Sequence, residues 1–312
     1  MVGKSQKNTS NGGETMISSF DDLIEKVKQL DKFKVCVAAA EDEEVLRAVK
    51  MAMDIGFIDP ILVGDKSKID EIASKIGLTD YQVVDSSEED AALDAVKIVK
   101  SGRASVLMKG LVNTSVYMRA VLNKEYGLRT GRLLSLIAAY EIPGYHKLLY
   151  CTDSGVNVSP NLEQKKDILT NSLLALKGLG LDNPKVIALT ANEMVDPKIS
   201  STVDAKALVD MVEAGEIPKC IIEGPIAFDV AFDPHAAEHK GIDSKLTGDV
   251  DLILFPNMET GNVLGKSWLH FNKAKWAGII LGASNPVVLG SRSDTAEIKV
   301  NSIALACLAS QI

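Results

Sequence analysis

Two spacings of hydrophobic residues alternate along this chain. Phe20, Leu23, Ile24, Val27 and Leu30 recur at helical intervals, with Ser19 or Asp21 as the cap. Val35-Cys36-Val37 is a short β run. Val45, Leu46, Val49 and Met53 then mark an amphipathic helix over Glu43 to Ile55, closed by Gly56. The pattern repeats with a strand at Asp59 to Gly64 and a helix from Ser67 to Ile76. A strand at Gln82 to Asp85 and a helix from Asp90 to Lys100 follow. Val106-Leu107-Met108 is the next strand, before a helix from Ser115 to Leu122. Leu133 to Ala139 is apolar enough for either helix or strand.

Pro143-Gly144 breaks the pattern, and a second series begins. It reads as strand Leu148 to Asp153, helix Asn161 to Leu176, strand Lys185 to Leu189, helix Val203 to Ala214 and strand Cys220-Ile221-Ile222. Residues 223–229 read as a loop. Asp249 to Phe255 reads as a strand, Val263 to Phe271 as a helix and Ile279-Ile280 as a strand. The last helix starts after a turn at Gly290. Strands and helices alternating at this spacing predict an α/β fold with mostly parallel sheets. A length of 312 residues suits two domains, and the break places a boundary near Tyr140. Met1 to Thr15 holds Lys, Ser, Asn and Gly without an apolar core, so a disordered tail is expected there rather than a signal peptide.

Composition narrows the function. The net charge is 34 − 42 = −8, which argues against non-specific binding to nucleic acid or an anionic membrane. No apolar run is long enough to span a bilayer. Cys36, Cys151, Cys220 and Cys307 are too widely spaced for a disulfide framework, and three of them lie in apolar runs. A cytoplasmic protein is the expectation.

The candidate chemistry lies at the ends of predicted strands. After Gly290 the chain sets Ser291, Arg292, Ser293 and Asp294 side by side: hydroxyls, a fixed cation and a carboxylate at a strand-to-helix turn. Asp294 with Glu297 also fits an N-cap and its capping-box partner. At the end of the Val106 strand, Gly110 is expected to let backbone amides approach an anion. Thr114 would cap the next helix there, with Lys109 and Arg119 nearby. Taken alone, that segment is read better as a plain β-turn-α connection with a capped helix. Glu125 to Arg132 is a glycine-rich loop carrying Arg129 and Arg132, suited to a planar oxyanion or simply to solvent. Gly261 to Ser267 reads G-x-x-x-G-K-S, one residue short of a P-loop, which excludes that nucleotide site. Thr260, Asn262 and Lys266 still face a ligand if a helix starts there. His235 and His239 stand four apart without a third ligand, so solvated histidines are expected rather than zinc. No G-x-G-x-x-G follows the early strands and no G-x-S-x-G occurs.

Four segments together carry a resemblance: Leu-Met-Lys-Gly at 107–110, Asn-Lys-Glu-Tyr-Gly-Leu-Arg-Thr-Gly at 123–131, Phe-Pro-Asn-Met-Glu-Thr-Gly-Asn-Val-Leu-Gly-Lys-Ser at 255–267, and Pro-Val-Val-Leu-Gly-Ser-Arg-Ser-Asp-Thr-Ala-Glu at 286–297. From Phe20 onward the chain resembles the phosphate acetyl/butyryl-transferase family, its butyryl-type members above all. The resemblance implies an isocitrate/isopropylmalate dehydrogenase-like fold with a cleft between two domains, residues 16–140 plus 286–312 and residues 141–285. It implies transfer of a short acyl group, butyryl foremost, between CoA and inorganic phosphate. It implies no cofactor or metal and an assembly that is a homodimer or larger. Ser291, Arg292, Asp294 and Glu297 would be catalytic. Lys109, Gly110, Thr114, Arg132, Thr260, Asn262 and Lys266 would line an anion-binding cleft. One departure bears on the base: acetyl-type members carry an acidic residue where this chain has Ile298, so that role passes to Asp294 or Glu297. Asp294 is the better match to butyryl-type members. The rival readings are a phosphate acetyltransferase, an NAD-dependent decarboxylating dehydrogenase on the same fold, and a non-catalytic acyl-CoA-binding subunit.

Overall fold

A computed structural model describes residues 17–290 and 294–311. The tail expected over residues 1–15 lies outside them. The first half runs α1 (Phe20–Lys28), β1 (Phe33–Ala38), α2 (Glu43–Ile55), β2 (Ile58–Gly64), α3 (Lys66–Ile76), β3 (Gln82–Asp85), α4 (Ala91–Lys100), β4 (Val106–Lys109), α5 (Thr114–Val121) and β5 (Ser135–Glu141). It continues through β6 (Leu149–Thr152), α6 (Leu162–Gly178), β7 (Lys185–Leu189), α7 (Ser200–Glu213), β8 (Ile221–Ile226), α8 (Phe228–Phe232), α9 (Pro234–His239) and β9 (Leu252–Leu254). α10 (Met258–Phe271), β10 (Lys275–Leu281), β11 (Val287–Val288) and α11 (Ala296–Ala309) complete it.

Among the described residues the strands form one 11-stranded sheet, ordered β3-β2-β1-β4-β11-β10-β5-β6-β9-β7-β8. The pairings are parallel in both outer blocks. Antiparallel pairing is confined to the centre, where β10 runs against β11 and β5, and β5 against β6. The result is a mixed α/β fold with a large, mostly parallel sheet. Tyr140, where the sequence pattern puts a boundary, lies within β5, and β11 brings the chain back beside β4.

The two faces of this sheet are packed differently. On one, a single core runs from Leu23 and Leu46 through Leu169 and Val186 to Leu252 and Leu305, so α1, α2, α6 and α11 share it. On the other the apolar residues split. Ala95, Tyr117 and Val121 gather under α4 and α5, whereas Val230, Ala237 and Trp268 gather under α8, α9 and α10. α11 is buried at every position from Lys299 to Ala309 and packs on α1, α2, α6 and β10, as a helix apolar on all sides must. All four cysteines are buried. Among the described residues no helix is long and apolar enough to cross a membrane.

Several expectations are corrected. Leu133 to Ala139, open between helix and strand in the sequence, contributes Ser135 to Ala139 to β5, whereas β8 takes in Glu223 to Ile226, which the sequence reads as loop. Pro225 fits there because β8 is an edge strand, where a missing N–H breaks no ladder. The strand expected over Asp249 to Phe255 shrinks to Leu252–Leu254. Asp249 and Asp251 instead bind the Lys147 ammonium, each at 2.6 Å. The helix expected from Val263 begins five residues earlier, because the Asn257 side chain accepts from the Thr260 amide and caps it.

Candidate functional site

The end of β4 is tightly closed on its own sheet. The Gly110 amide donates to the Ala38 carbonyl at 2.8 Å and the Leu111 amide to Ala39 at 2.6 Å. Those N–H groups are therefore spent on β1 and not turned to a ligand, contrary to the expectation for Gly110. Glycine is needed here for backbone approach: a Cβ on Gly110 would lie 2.2 Å from the Ala39 carbonyl oxygen. The Lys109 ammonium donates to the carbonyls of Gly110 and Val112, at 3.2 and 3.0 Å, and pins the loop that follows. Asn113, not Thr114, is the N-cap of α5; Thr114 is its first residue and is exposed. Arg119 is exposed on the same helix.

β11 lies beside β4, with Val288 opposite Met108, so Leu289 and Gly290 continue next to Lys109 and Gly110. Ser291, Arg292 and Ser293 lie outside the described residues. The start of α11 differs from the expected capping box. Thr295 is the N-cap, its side chain accepting from the Ile298 amide. That makes Ile298 the third helical residue, where a capping box needs Glu or Gln. Asp294 stands before the cap, half-buried, and Glu297 points away to an exposed ion pair with Lys275 at 3.1 Å. A hydrogen bond with Glu297 holds the Lys275 ammonium above its ordinary range.

The remaining candidates fall into two other places. Arg132 sits at the opposite end of β10 and β11 from Gly290, since Leu281 pairs with Ser135 and Ala283 with Arg129. Its Nε donates to Asn171 of α6 at 2.8 Å, and the pair lines a cavity of about 220 Å³ with Thr130, Ser284 and Ser310. Gly282 is obligatory beside it: φ is +92°, and a Cβ would meet the Leu133 carbonyl oxygen at 2.2 Å. Thr260 and Asn262 are on the first turns of α10. The Thr260 hydroxyl bonds Asn257 at 2.9 Å, and the Asn262 amide reaches the Ser154 carbonyl at 3.3 Å. Lys266 is exposed a full turn further on. Thr260 also borders a cavity of about 1230 Å³ at the ends of β7 and β9, walled by Leu162, Ile199, Phe228 and Val263 and edged by Lys165 and Lys198.

Sequence reading passed over two features. Asp153 and Ser154 follow β6, and the Asp153 carboxylate accepts from three successive amides, of Gly155, Val156 and Asn157. The Asp-Ser-Gly-Val-Asn run is a turn signal that could have marked this loop. Lys299 is buried in the first turn of α11 and donates to the main-chain carbonyl of Asp294. A single lysine in a helix carries no sequence signal of burial.

Comparison with known proteins settles the family. The family model for phosphate acetyl/butaryl transferase matches residues 19–94 and 77–307. The chain belongs to that family. A phosphate butyryltransferase of Clostridium acetobutylicum is 46% identical over 296 residues, which is 94% of this chain and 98% of the relative. Among solved structures, a branched-chain phosphotransacylase from Enterococcus faecalis V583 superposes with a TM-score of 0.79 at 31% identity, covering 89% of this chain and 99% of that one. A 4-hydroxythreonine-4-phosphate dehydrogenase from Klebsiella pneumoniae reaches a TM-score of 0.57 at 12% identity, covering 90% of this chain and 100% of that one, and shows a shared fold alone. This acetyl/butaryl transferase chain holds no group of three or more His, Cys, Asp or Glu placed to bind a metal, among its described residues.

Proposed function

We propose that this protein is a phosphate butyryltransferase, moving a short acyl group between CoA and inorganic phosphate. The observation that carries the reading is the 46% identity to a phosphate butyryltransferase over 94% of the chain. A phosphate oxygen attacks the thioester carbonyl carbon, the C–S bond breaks, and acyl phosphate and CoA leave. In the reverse direction the CoA thiol gives up its proton, its sulfur attacks the carbonyl carbon of the acyl phosphate, the C–O bond breaks and inorganic phosphate leaves.

This reaction needs an anion site, a donor for the tetrahedral oxyanion and proton control at sulfur. Arg292 takes the first two tasks, with Ser291 hydrogen-bonding the thiolate or the carbonyl oxygen. Asp294 manages the thiol proton. The helix start supports that choice over Glu297, because Thr295 does the capping and Glu297 is paired with Lys275. The domains are residues 16–140 plus 286–312 and residues 141–285, in an isocitrate/isopropylmalate dehydrogenase-like arrangement. The cleft lies on the sheet face where the apolar core is split, between α5 and α10. Lys109 and Thr114 border it at the C-terminal end of β4, and Thr260 and Asn262 border it at the other end of the sheet, after β9. Arg132 is left to the other face, beside α6. The cavity of about 1230 Å³ beside Thr260 is large enough for a ligand of CoA size, above the common range of about 300–1,000 Å³.

Thiol release from a ladder of acyl-CoA chain lengths tests this, with and without phosphate. Phosphate-dependent release greatest with butyryl-CoA is expected. Release greatest with acetyl-CoA would make it a phosphate acetyltransferase, and none at any chain length would end the transferase reading. Ser291→Ala and Arg292→Ala each lower kcat/KM by about 100-fold or more if the turn is the site.

A further inference from the structure

α11 carries one lysine, Lys299, and places it where a cation is costly. It is only 4% exposed. It also sits in the first turn, where the helix dipole opposes positive charge. Its side chain runs along the end of β11: Cε and Cγ lie 3.7 and 3.8 Å from where a Cβ of Gly290 would stand. Asp294 Oδ2 is 3.9 Å from that same point. The Lys299 ammonium donates to the Asp294 carbonyl oxygen. Asp294 is thus tied from inside the protein, one residue before the Thr295 cap and four after Gly290. The cap fixes the helix and the lysine fixes the residue that enters it.

We propose that Lys299 is a positioning residue of the acyl-transfer site. It grips the main chain of Asp294 and so holds that carboxylate at the end of β11, where the proton of the CoA thiol is handled. The inference rests on the transferase reading and on the assignment of Asp294. A misplacement of about 1 Å at a reacting group costs about 100-fold in rate, so a grip on the backbone is enough to matter.

The test compares the full-length wild type with Lys299→Met, Lys299→Arg, Asp294→Asn and the Asp294→Asn/Lys299→Met double variant. kcat, KM for butyryl-CoA and phosphate, and urea midpoints are measured for each. Amide hydrogen exchange over residues 289–297 is followed in the wild type and Lys299→Met. Lys299→Met removes the ammonium at similar volume, and kcat is expected to fall about 10- to 100-fold with both KM values within about threefold. Lys299→Arg recovers part of the rate. The double variant is no slower than Asp294→Asn alone, because Lys299 acts through Asp294. Additive losses overturn the proposal, as does a kcat per folded molecule equal to wild type with only the urea midpoint lowered. If the wild type releases no thiol with any acyl-CoA, the transferase reading fails on its own. Hydrogen exchange then decides the grip: faster exchange over 289–297 in Lys299→Met supports it, and unchanged exchange overturns it.

Discussion

At Gly110 a Cβ would press to 2.2 Å against the Ala39 carbonyl oxygen and 2.8 Å against that of Ala38. Both oxygens belong to the end of the strand β1 and its turn, so neither yields as a flexible side chain does. Gly110→Ala is therefore expected to cost about 3 kcal/mol, the upper part of the usual overpacking range. Gly290 looks equivalent in sequence, a glycine after a strand, yet among the described residues its Cβ would meet nothing nearer than 3.7 Å. Gly290→Ala should change stability by less than about 0.5 kcal/mol. Denaturant unfolding of the two variants separates them, and equal losses would refute the packing described. Burial raises the Asp249 carboxyl, but hydrogen bonds from Lys147 and Lys185 outweigh it and hold the group well below the ordinary carboxylate range. A folded-state value below the unfolded one of about 3.9 gives stability that is present above that pH and lost as pH falls toward the folded value. The gap in urea midpoint between wild type and Asp249→Asn should therefore shrink from pH 5 to pH 3. A constant gap would mean that the ion pairs with Lys147 and Lys185 carry none of it.

At the scale of the element, the start of α11 shows what sequence can and cannot resolve. Asp294 and Thr295 are adjacent, and both residue types cap helices well; Glu297 made Asp294 look like half of a capping box. The choice between them depends on where the helix begins, and that is set by packing: α11 is buried from Lys299 onward. The same limit moved the start of α10 back to Met258, where Asn257 rather than the apolar pattern decides. Helices with one apolar face, such as α2, were legible because their pattern and their closing Gly56 agree. The revised cap can be measured. Thr295→Ala should cost about 1 kcal/mol, the usual loss for an N-cap, and leave kcat within about threefold. Asp294→Asn should cost less than about 0.5 kcal/mol and lower thiol release about 100-fold or more, as loss of an acid–base group does. If the stability loss instead follows Asp294 and the rate loss follows Thr295, the roles are reversed.

At the scale of the molecule, the alternation of strand and helix predicted two parallel blocks, and the sheet contains both. The antiparallel centre was not legible, because β5 and β10 pair across more than a hundred residues and no local pattern encodes a strand's direction. That centre makes one sheet of the two halves, and the core on the α11 face extends through both. The candidate residues show the same limit: each strand end was visible, but which face and which end each one joined depended on those long-range pairings. A shared sheet and core should make unfolding cooperative across the chain. Leu46 is fully buried in the first half, and Leu46→Ala should cost about 2–5 kcal/mol. Trp268 and Trp276 both report from beyond residue 141, Trp268 in α10 and Trp276 in β10. If the shared core couples the halves, Leu46→Ala lowers the urea midpoint of tryptophan fluorescence as far as that of far-ultraviolet circular dichroism. A fluorescence midpoint that stays at the wild-type value while the dichroism transition splits would show that the halves unfold independently, with β10 and β5 only a seam between them.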